Sequence, residues 1–559
     1  MSDMDQRNSR SESAAAVETA PVRQPGKFPL KWVIAGIVAF LVIGGTAAYA
    51  LFGNLSPKQQ YLLYEIKTFQ KAAEDFEEQN GELTEFQEKI AEQASSTNTK
   101  VSMGLETDGV VPPDFEMFMD LLNEAAVTAV TEQDPKNNTS FTEAGIEVGG
   151  ESLLDMEVYQ SPKMVAAKVP DIYDKYFYLN ADEYGQFMRQ LDPMYDGPEE
   201  LSFKPLSIED LELTEEEEKH VQDTYADFLN KELKDEFFTK KDNVSYEHNG
   251  EKINVTQLTM KMNEKETKAF INNVLDQLIK DEKLQDIIAK RAVKVANSGA
   301  SQMDMLNPET VKDDIKEGLK DAKTEFKDAK IPEGVTSVLM VKDQLVIDRE
   351  MKISAGSSDE ADTIAIHTMD FSYDNGNKQD QEFKVEIIPG DGSEAAEILV
   401  TNKIARKDKS RTEDLKAELI SKMEDAEEAV SFTMKSEFEG ENPAKQKITR
   451  DFSLGTEGES TGSPVAVEGT IVQNQDVSVK DKYNNQLFEI ELSGGDDMAQ
   501  GTISLKIDTK TKLKEKADIP KVSTGDEVNV NNITPEQMSD IQMKAGAKLQ
   551  DILLQLGVI

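Results

Sequence analysis

Three histidines, His220, His248 and His367, are the chain's natural acid–base groups, so their spacing is the first test for chemistry. No two stand at metal-ligand spacing: His220 begins a helical pattern, His248 adjoins an Asn-Gly pair and His367 lies in the strand-like DTIAIHTMDF. Each reads as an isolated surface or sheet histidine. The chain has no cysteine, which excludes disulfides, thiolate nucleophiles, a lipid-modified cysteine and Cys-based zinc or iron–sulfur centres. It also lacks a G-x-S-x-G elbow, a P-loop, a dinucleotide fingerprint and H-E-x-x-H. Asp370, Ser372 and Asp374 have the one-three-five spacing of a calcium loop. Glycine, however, falls at the seventh place (Gly376) and Gln381 stands at the twelfth, so a hairpin explains the run better. With 107 acidic residues, chance carboxylate pairs of the glycosidase kind are guaranteed and single none out. These residues predict no catalysis, no metal and no cofactor.

One enrichment does suggest a binding site. Tyr159, Tyr173, Tyr176, Tyr178, Tyr184 and Tyr195 are six of the 13 tyrosines and fall within 37 residues. Tyrosines offer an apolar face and a hydroxyl and can line a groove for sugars, peptides or lipid; they also simply fill cores where sheet meets helix. The core reading is the stronger, and Tyr159, Tyr173, Tyr176, Tyr178 and Tyr184 are the place to look for a ligand.

Net charge is -45, and residues 1–31 hold five basic and four acidic side chains, so the acidic excess lies in the remainder. Such an exterior repels phosphate backbones and anionic lipid, which argues against nucleic acid as a partner. From Trp32 to Pro57 there is no charge, and Trp32 to Phe52 is a 21-residue apolar run. As a helix it is about 31 Å long, the hydrocarbon thickness of a bilayer. The small-residue pattern Ala48-Tyr49-Ala50 also suits a cleaved export signal, but Leu51 and Phe52 prolong the apolar run beyond it. The reading settles on an anchor. Arg23, Lys27 and Lys31 crowd its N-terminal flank, which predicts a cytoplasmic N-terminus and an extracytoplasmic bulk in the cell membrane.

The elements beyond the anchor follow from periodicity. Leu62, Ile66, Phe69, Ala73 and Phe76, then Leu83, Phe86 and Ile90, give a helical stripe interrupted at Asn80-Gly81. Val101, Met103 and Leu105 alternate as in a strand, and PPDFEMFMDLLNEAAVTAV reads as one helix opened by prolines. Thr214 before four glutamates is an N-cap with a first turn suited to the helix dipole, not an acidic metal site. A hairpin is legible around Asn249-Gly250, and helices are expected over Glu264 to Asn297 and Pro308 to Lys330. Beyond Gly334 the pattern is antiparallel sheet, with strand faces such as Ile398, Val400 and Ile404, or Ile503, Leu505 and Ile507, and turns at Asn375-Gly376 and Asp391-Gly392. One helix, Arg411 to Glu428, is expected to interrupt it. A terminal helix carries the capping box Thr534/Gln537 and a stripe of Met538, Ile541, Ala545, Leu549, Ile552 and Leu556 expected to be buried.

The tyrosine segment with VPDIYDKYFYLN, together with NGEKINVTQLTMKMNEKETKAFINNVLDQLIKDEKLQDII and the terminal NITPEQMSDIQMKAGAKLQDILLQLGVI, resembles an uncharacterised family of single-span, surface-facing proteins of Bacillus-like Gram-positive bacteria. The resemblance implies compartment and organism type and carries over no functional residue. A helix-covered sheet is also similar in outline to bacterial lipoprotein carriers that hold acyl chains between sheet and helix.

The expected fold class is α+β: large twisted antiparallel sheets with helices packed on one face, preceded by one transmembrane helix. The expected division is a disordered cytoplasmic tail (1–31), a transmembrane helix (32–52), a helix-rich subdomain (53–332) and a β-rich subdomain with a C-terminal helix (333–559). The expected function is a single-pass, extracytoplasmic, non-enzymatic module of the cell envelope, attached to the membrane through one helix and binding a lipid, a wall fragment or an envelope protein. The alternatives are a carboxylate-dependent cell-wall hydrolase and a structural scaffold.

Overall fold

In the computed structural model the period-two runs pair into one sheet of twenty strands. The structure describes residues 55–107, 109, 111–195, 199–200, 212–299, 307–327, 329–356, 361–390, 395–407, 409–422, 427–457, 467–496, 499–522 and 527–556. The expected tail, the expected transmembrane helix and the Asp391-Gly392 turn lie outside these residues. Among the described residues no helix is long and apolar enough to cross a membrane.

The strands are β1 (Ser95–Thr107), β2 (Ala125–Asp134), β3 (Thr139–Val148), β4 (Glu151–Ser161), β5 (Met164–Val169), β6 (Tyr173–Asn180), β7 (Phe238–His248), β8 (Glu251–Met262), β9 (Val335–Lys342) and β10 (Leu345–Ala355). They continue with β11 (Asp362–Tyr373), β12 (Lys378–Ile388), β13 (Ala395–Lys407), β14 (Ser410–Lys422), β15 (Glu427–Asn442), β16 (Lys445–Glu457), β17 (Val467–Ser478), β18 (Tyr483–Asp496), β19 (Ala499–Leu513) and β20 (Val528–Asn529). Each strand from β7 to β19 pairs antiparallel with the next. β19 then takes β1, and the meander runs on to β6, which pairs in parallel with β20. Among the described residues β7 bonds only to β8 and β20 only to β6, so the ladder is open.

Helices cover one end of one face. α1 (Pro57–Glu92) starts at a Ser56/Gln59 capping box and runs without a break through Asn80-Gly81. α2 (Pro113–Glu124) joins β1 to β2, α3 (Tyr184–Leu191) follows β6, and α4 (Glu215–Glu232) opens at the expected Thr214 cap. α5 (Glu264–Lys280), α6 (Glu282–Gly299) and α7 (Pro308–Phe326) pack with α4 and α1 over β8 to β11. Leu258, Leu275, Phe326, Ile331 and Leu339 are buried at the centre of that core. α8 (Pro535–Gln555) closes the described chain at the Thr534/Gln537 box.

α1 is about 54 Å long at ~1.5 Å per residue and is tied down at both ends. Near its start Tyr61 donates to Ser337 Oγ on β9 (2.7 Å) and Glu65 pairs with Arg349 on β10. Near its end Phe86 is enclosed by Val477 and Leu513, at the ends of β17 and β19. Between the two anchorages Phe69 and Phe76 stay exposed.

Several expectations change. The fold is not an α+β arrangement of several helix-covered sheets: among the described residues it is one twenty-stranded sheet, and beyond β11 the helices on this face reduce to the end of α1 at β17 and β19. The boundary at residue 332 is bridged by the β8–β9 and β1–β19 ladders, so the chain on either side belongs to one hydrogen-bonded sheet. The segment from Arg411 to Glu428 is not a helix but β14 and the start of β15. Its Ala, Leu, Glu and Lys favour a helix, but the ladder on both sides overrides that propensity. The helix opened by Pro112 and Pro113 stops at Glu124, and AAVTAV becomes β2. The helix over Glu264 to Asn297 is broken at Asp281. In α8 the expected apolar stripe is not buried: Met538 and Leu549 are exposed.

Candidate functional site

The tyrosines do not converge on one groove. Register places Tyr159 opposite Phe141 and Ala166, and Ala166 opposite Tyr178, so these side chains share a face with Tyr176. Tyr176 donates to Glu157 and, with Phe141, Glu132 and the Ala517–Pro520 segment, lines an open depression. Tyr173 instead packs on Phe177 (5.2 Å between ring centroids) under Lys544 of α8. Tyr184, on α3, meets Tyr195 edge-on at 6.1 Å.

The histidines are not isolated, as expected, but each holds a carboxylate distant in sequence. His220 Nε2 lies 2.8 Å from Asp281 Oδ1, and His248 Nε2 lies 2.8 Å from Asp380 Oδ2. His367 is held on both sides, by Asp348 (3.2 Å) and Glu382 (2.8 Å), and Tyr246 donates to the same Asp348 carboxylate (3.0 Å). The hydrogen bond to Asp348 outweighs desolvation and, with Glu382, raises the His367 pKa to about 9. Among the described residues no group of three or more such side chains is placed to hold a metal. In the β11–β12 ladder His367 stands opposite Lys384, and Glu382 is its diagonal neighbour across the hairpin.

The sheet's two faces differ more than any of these clusters. Directly opposed residues of an antiparallel ladder share a face. On one face run Phe383, Val400, Ala417, Phe432, Leu454 and Val467, one from each of β12 to β17. Beside them lie Ile398, Leu419 and Val430, and the same face continues through Leu492, Ile503 and Leu105, then through Val101, Val127, Ile146 and Leu154. It is the face that α1 and α4 to α7 cover at β8 to β11; from β12 to β4, among the described residues, α1 crosses it only near the strand ends, where Phe86 meets Val477 and Leu513, and the rest is uncovered.

Exposure confirms this. Phe383, Ile398, Leu419, Val430, Leu454, Val467, Leu492, Ile503, Met103, Val127, Ile146 and Met156 are each 36–56% exposed, one on each of the twelve strands from β12 to β19 and β1 to β4. All twelve point to this one face; among the described residues Ile388, at the end of β12, is the exposed aliphatic of these strands on the other. At ~4.8 Å per strand the apolar band is roughly 50 Å wide. α2 exposes Phe115, Met117 and Phe118 near its margin. The opposite face is charged and self-paired: Lys416 with Glu418 (2.8 Å), Lys506 with Glu489 (2.7 Å), Lys422 and Lys384 with Glu397.

Toward the end of the strands where α1 crosses, the apolar face becomes polar. Arg411 on β14 and Arg450 on β16 flank Phe438 on β15, their guanidinium carbons 4.0 and 6.0 Å from its ring centroid. Burial lowers both guanidinium pKa values; Glu413 opposes that shift at both, and the Arg411 charge adds to it at Arg450.

Where helices do meet the sheet, the interface is filled. The space among Tyr61, Leu229, Met260 and Met351 amounts to about 10 Å³. The expected single-pass envelope module that binds a ligand or partner through a sheet–helix body is therefore corrected, together with its hydrolase and scaffold alternatives. The expected membrane contact through one helix is corrected as well: among the described residues the extended apolar surface belongs to strands.

No protein-family model matches the chain, and no curated protein matches it. Among solved structures it is similar to a loop-deletion mutant of OmpT, an outer membrane protein of Vibrio cholerae, at 5% identity and a TM-score of 0.23, covering 74% of this chain and 98% of that one. It is similar to the outer membrane protein opdK of Pseudomonas aeruginosa at 7% identity and a TM-score of 0.21, covering 75% and 99%. The overlap is too low to show a shared fold.

Proposed function

We propose that the protein is a non-catalytic, membrane-associated protein that holds lipid hydrocarbon against the uncovered face of its sheet. The observation that carries this reading is the row of twelve exposed apolar side chains, one per strand, all on one face. Monomeric soluble proteins rarely expose contiguous apolar patches above a few hundred Å². A band roughly 50 Å wide is beyond that, and the charged residues of the same strands point the other way along the band itself, with Arg411, Glu413 and Arg450 on this face only beyond its end. Lipid suits such a surface because hydrocarbon asks for area and no hydrogen bonds. The backbone polar groups it would meet are already paired in the ladder.

The absence of native cysteine makes the test direct. Leu419→Cys and Lys416→Cys, on opposite faces of β14, are each labelled with an environment-sensitive fluorophore in the full chain and mixed with phosphatidylcholine vesicles. The expected result is a blue shift at position 419 and none at 416. Equal responses, or none at 419, would overturn the reading. So would discrete single-channel conductance in a planar bilayer, which needs a closed ladder around a lumen.

A further inference from the structure

Resting on the lipid-contact reading, we propose that Arg411 and Arg450, on either side of Phe438, form the site for the phosphate of an anionic phospholipid whose acyl chains lie on the adjoining apolar rows.

The placement fits an amphiphile. Arg450 and Leu454 lie on the same face of β16, four residues apart, or ~14 Å. That is the hydrocarbon depth of one monolayer, half of the ~30 Å of a bilayer. Phe452 lies between them and Phe432 packs on it at 6.2 Å, so the path from the guanidinium to the exposed leucine is apolar.

Charge makes the same point locally. In a chain of net charge -45, these two arginines have, among the described residues, one carboxylate acting on them, Glu413, whose Oε1 is 3.1 Å from Arg411 Nε. Arg411 Nε is buried and makes no hydrogen bond, and Arg450 donates to Gln473 Oε1 at 3.1 Å. A guanidinium has five donors, and most of these ten are left for an acceptor that supplies several oxygens at once. Phosphate does. The ring of Phe438 keeps the two guanidinium planes apart and offers each a cation–π contact, which holds two like charges near one point without a second acid. Phosphate between them would remove the repulsion that Arg411 exerts on Arg450.

The chain's acidity opposes approach to an anionic surface, but at physiological ionic strength that repulsion is screened beyond about 8 Å, whereas a contact at the site is not. The test is binding of the full-length protein at that ionic strength to phosphatidylcholine vesicles with and without phosphatidylglycerol. Wild type is expected to bind the anionic vesicles roughly thirtyfold more tightly, on the scale set by two arginines at a lipid surface. R411Q/R450Q is expected to lose that preference and keep its binding to phosphatidylcholine. A preference that persists in the double variant, or none in wild type that still binds both vesicles, overturns the site alone. Failure of wild type to bind either vesicle instead sinks the lipid reading beneath it. If the double variant does not melt cooperatively, E413Q decides: losing the counter-charge must strengthen the preference, and a weakened preference overturns the site.

Discussion

The Arg349 guanidinium on β10 and the Glu65 carboxylate on α1 form an ion pair in which the two side chains are 9% and 4% exposed. Arg349 also donates to Thr368 on β11, so helix and two strands are joined at one buried point. Burial pushes the Glu65 pKa up, and Arg349 opposes it. Replacing Glu65 by Leu leaves a buried guanidinium without its partner and is expected to cost about 3–5 kcal/mol. E65L/R349M is expected to recover most of that, since a well-packed apolar pair of similar volume is often neutral. Urea denaturation of the wild type and the two variants checks both expectations.

The second anchorage of α1 is apolar. Phe86→Ala empties the site between Val477 and Leu513 and is expected to cost about 3–5 kcal/mol. Because Phe69 and Phe76 ahead of it are exposed, the C-terminal half of the helix should exchange its amide hydrogens faster in the variant, while the Tyr61 end keeps its protection. Uniform acceleration along α1 would show that the two ends do not hold independently.

The pair of carboxylates around His367 makes stability depend on alkaline pH. Its pKa rises from 6.5 to about 9 on folding, so its contribution is complete below the unfolded value near 6.5 and is lost as pH climbs through about 9. His367→Gln should flatten that part of the stability–pH curve. Glu217 works in the opposite direction: hydrogen bonds from Arg291 and Thr214 lower its pKa to about 2. Its contribution is present above the unfolded value near 4.5 and fades as pH falls toward about 2, a loss that Glu217→Gln should abolish.

Gly469 on β17 lies directly opposite Phe452, whose ring covers it. A Cβ there would stand 2.5 Å from the Glu491 carbonyl oxygen and 2.7 Å from the ring. Gly469→Ala therefore has to displace Phe452 or open the β17–β18 ladder, and is expected to cost about 1–3 kcal/mol by overpacking. Thermal melting measures the loss. If the apolar face binds lipid as proposed, the same variant should also bind phosphatidylcholine vesicles more weakly.

Local sequence alone determined most strands and caps. The alternation of Val101, Met103 and Leu105, of Ile398, Val400 and Ile404, and of Ile503, Leu505 and Ile507 placed each set on one side of a strand, because side chains repeat every second residue. Thr214, Thr534 and Asn249-Gly250 marked their caps and turn because those residue types satisfy or adopt the needed backbone geometry within a few positions. What lay beyond a few positions was not legible. Arg411 to Glu428 has the composition of a helix, and only hydrogen bonds to β13 and β15 make it extended. The partners of the three histidines, the joining of β19 to β1 and the meeting of Arg411 with Arg450 across Phe438 depend on register, which a strand's own residues do not encode. Above all, the sequence showed that each strand has an apolar side, whereas only the tertiary structure decided that this side is covered by helices at β8 to β11 and, among the described residues, open from β12 to β4 except where the end of α1 meets β17 and β19. Periodicity is a property of one element, and burial is a property of what another element does or does not place against it.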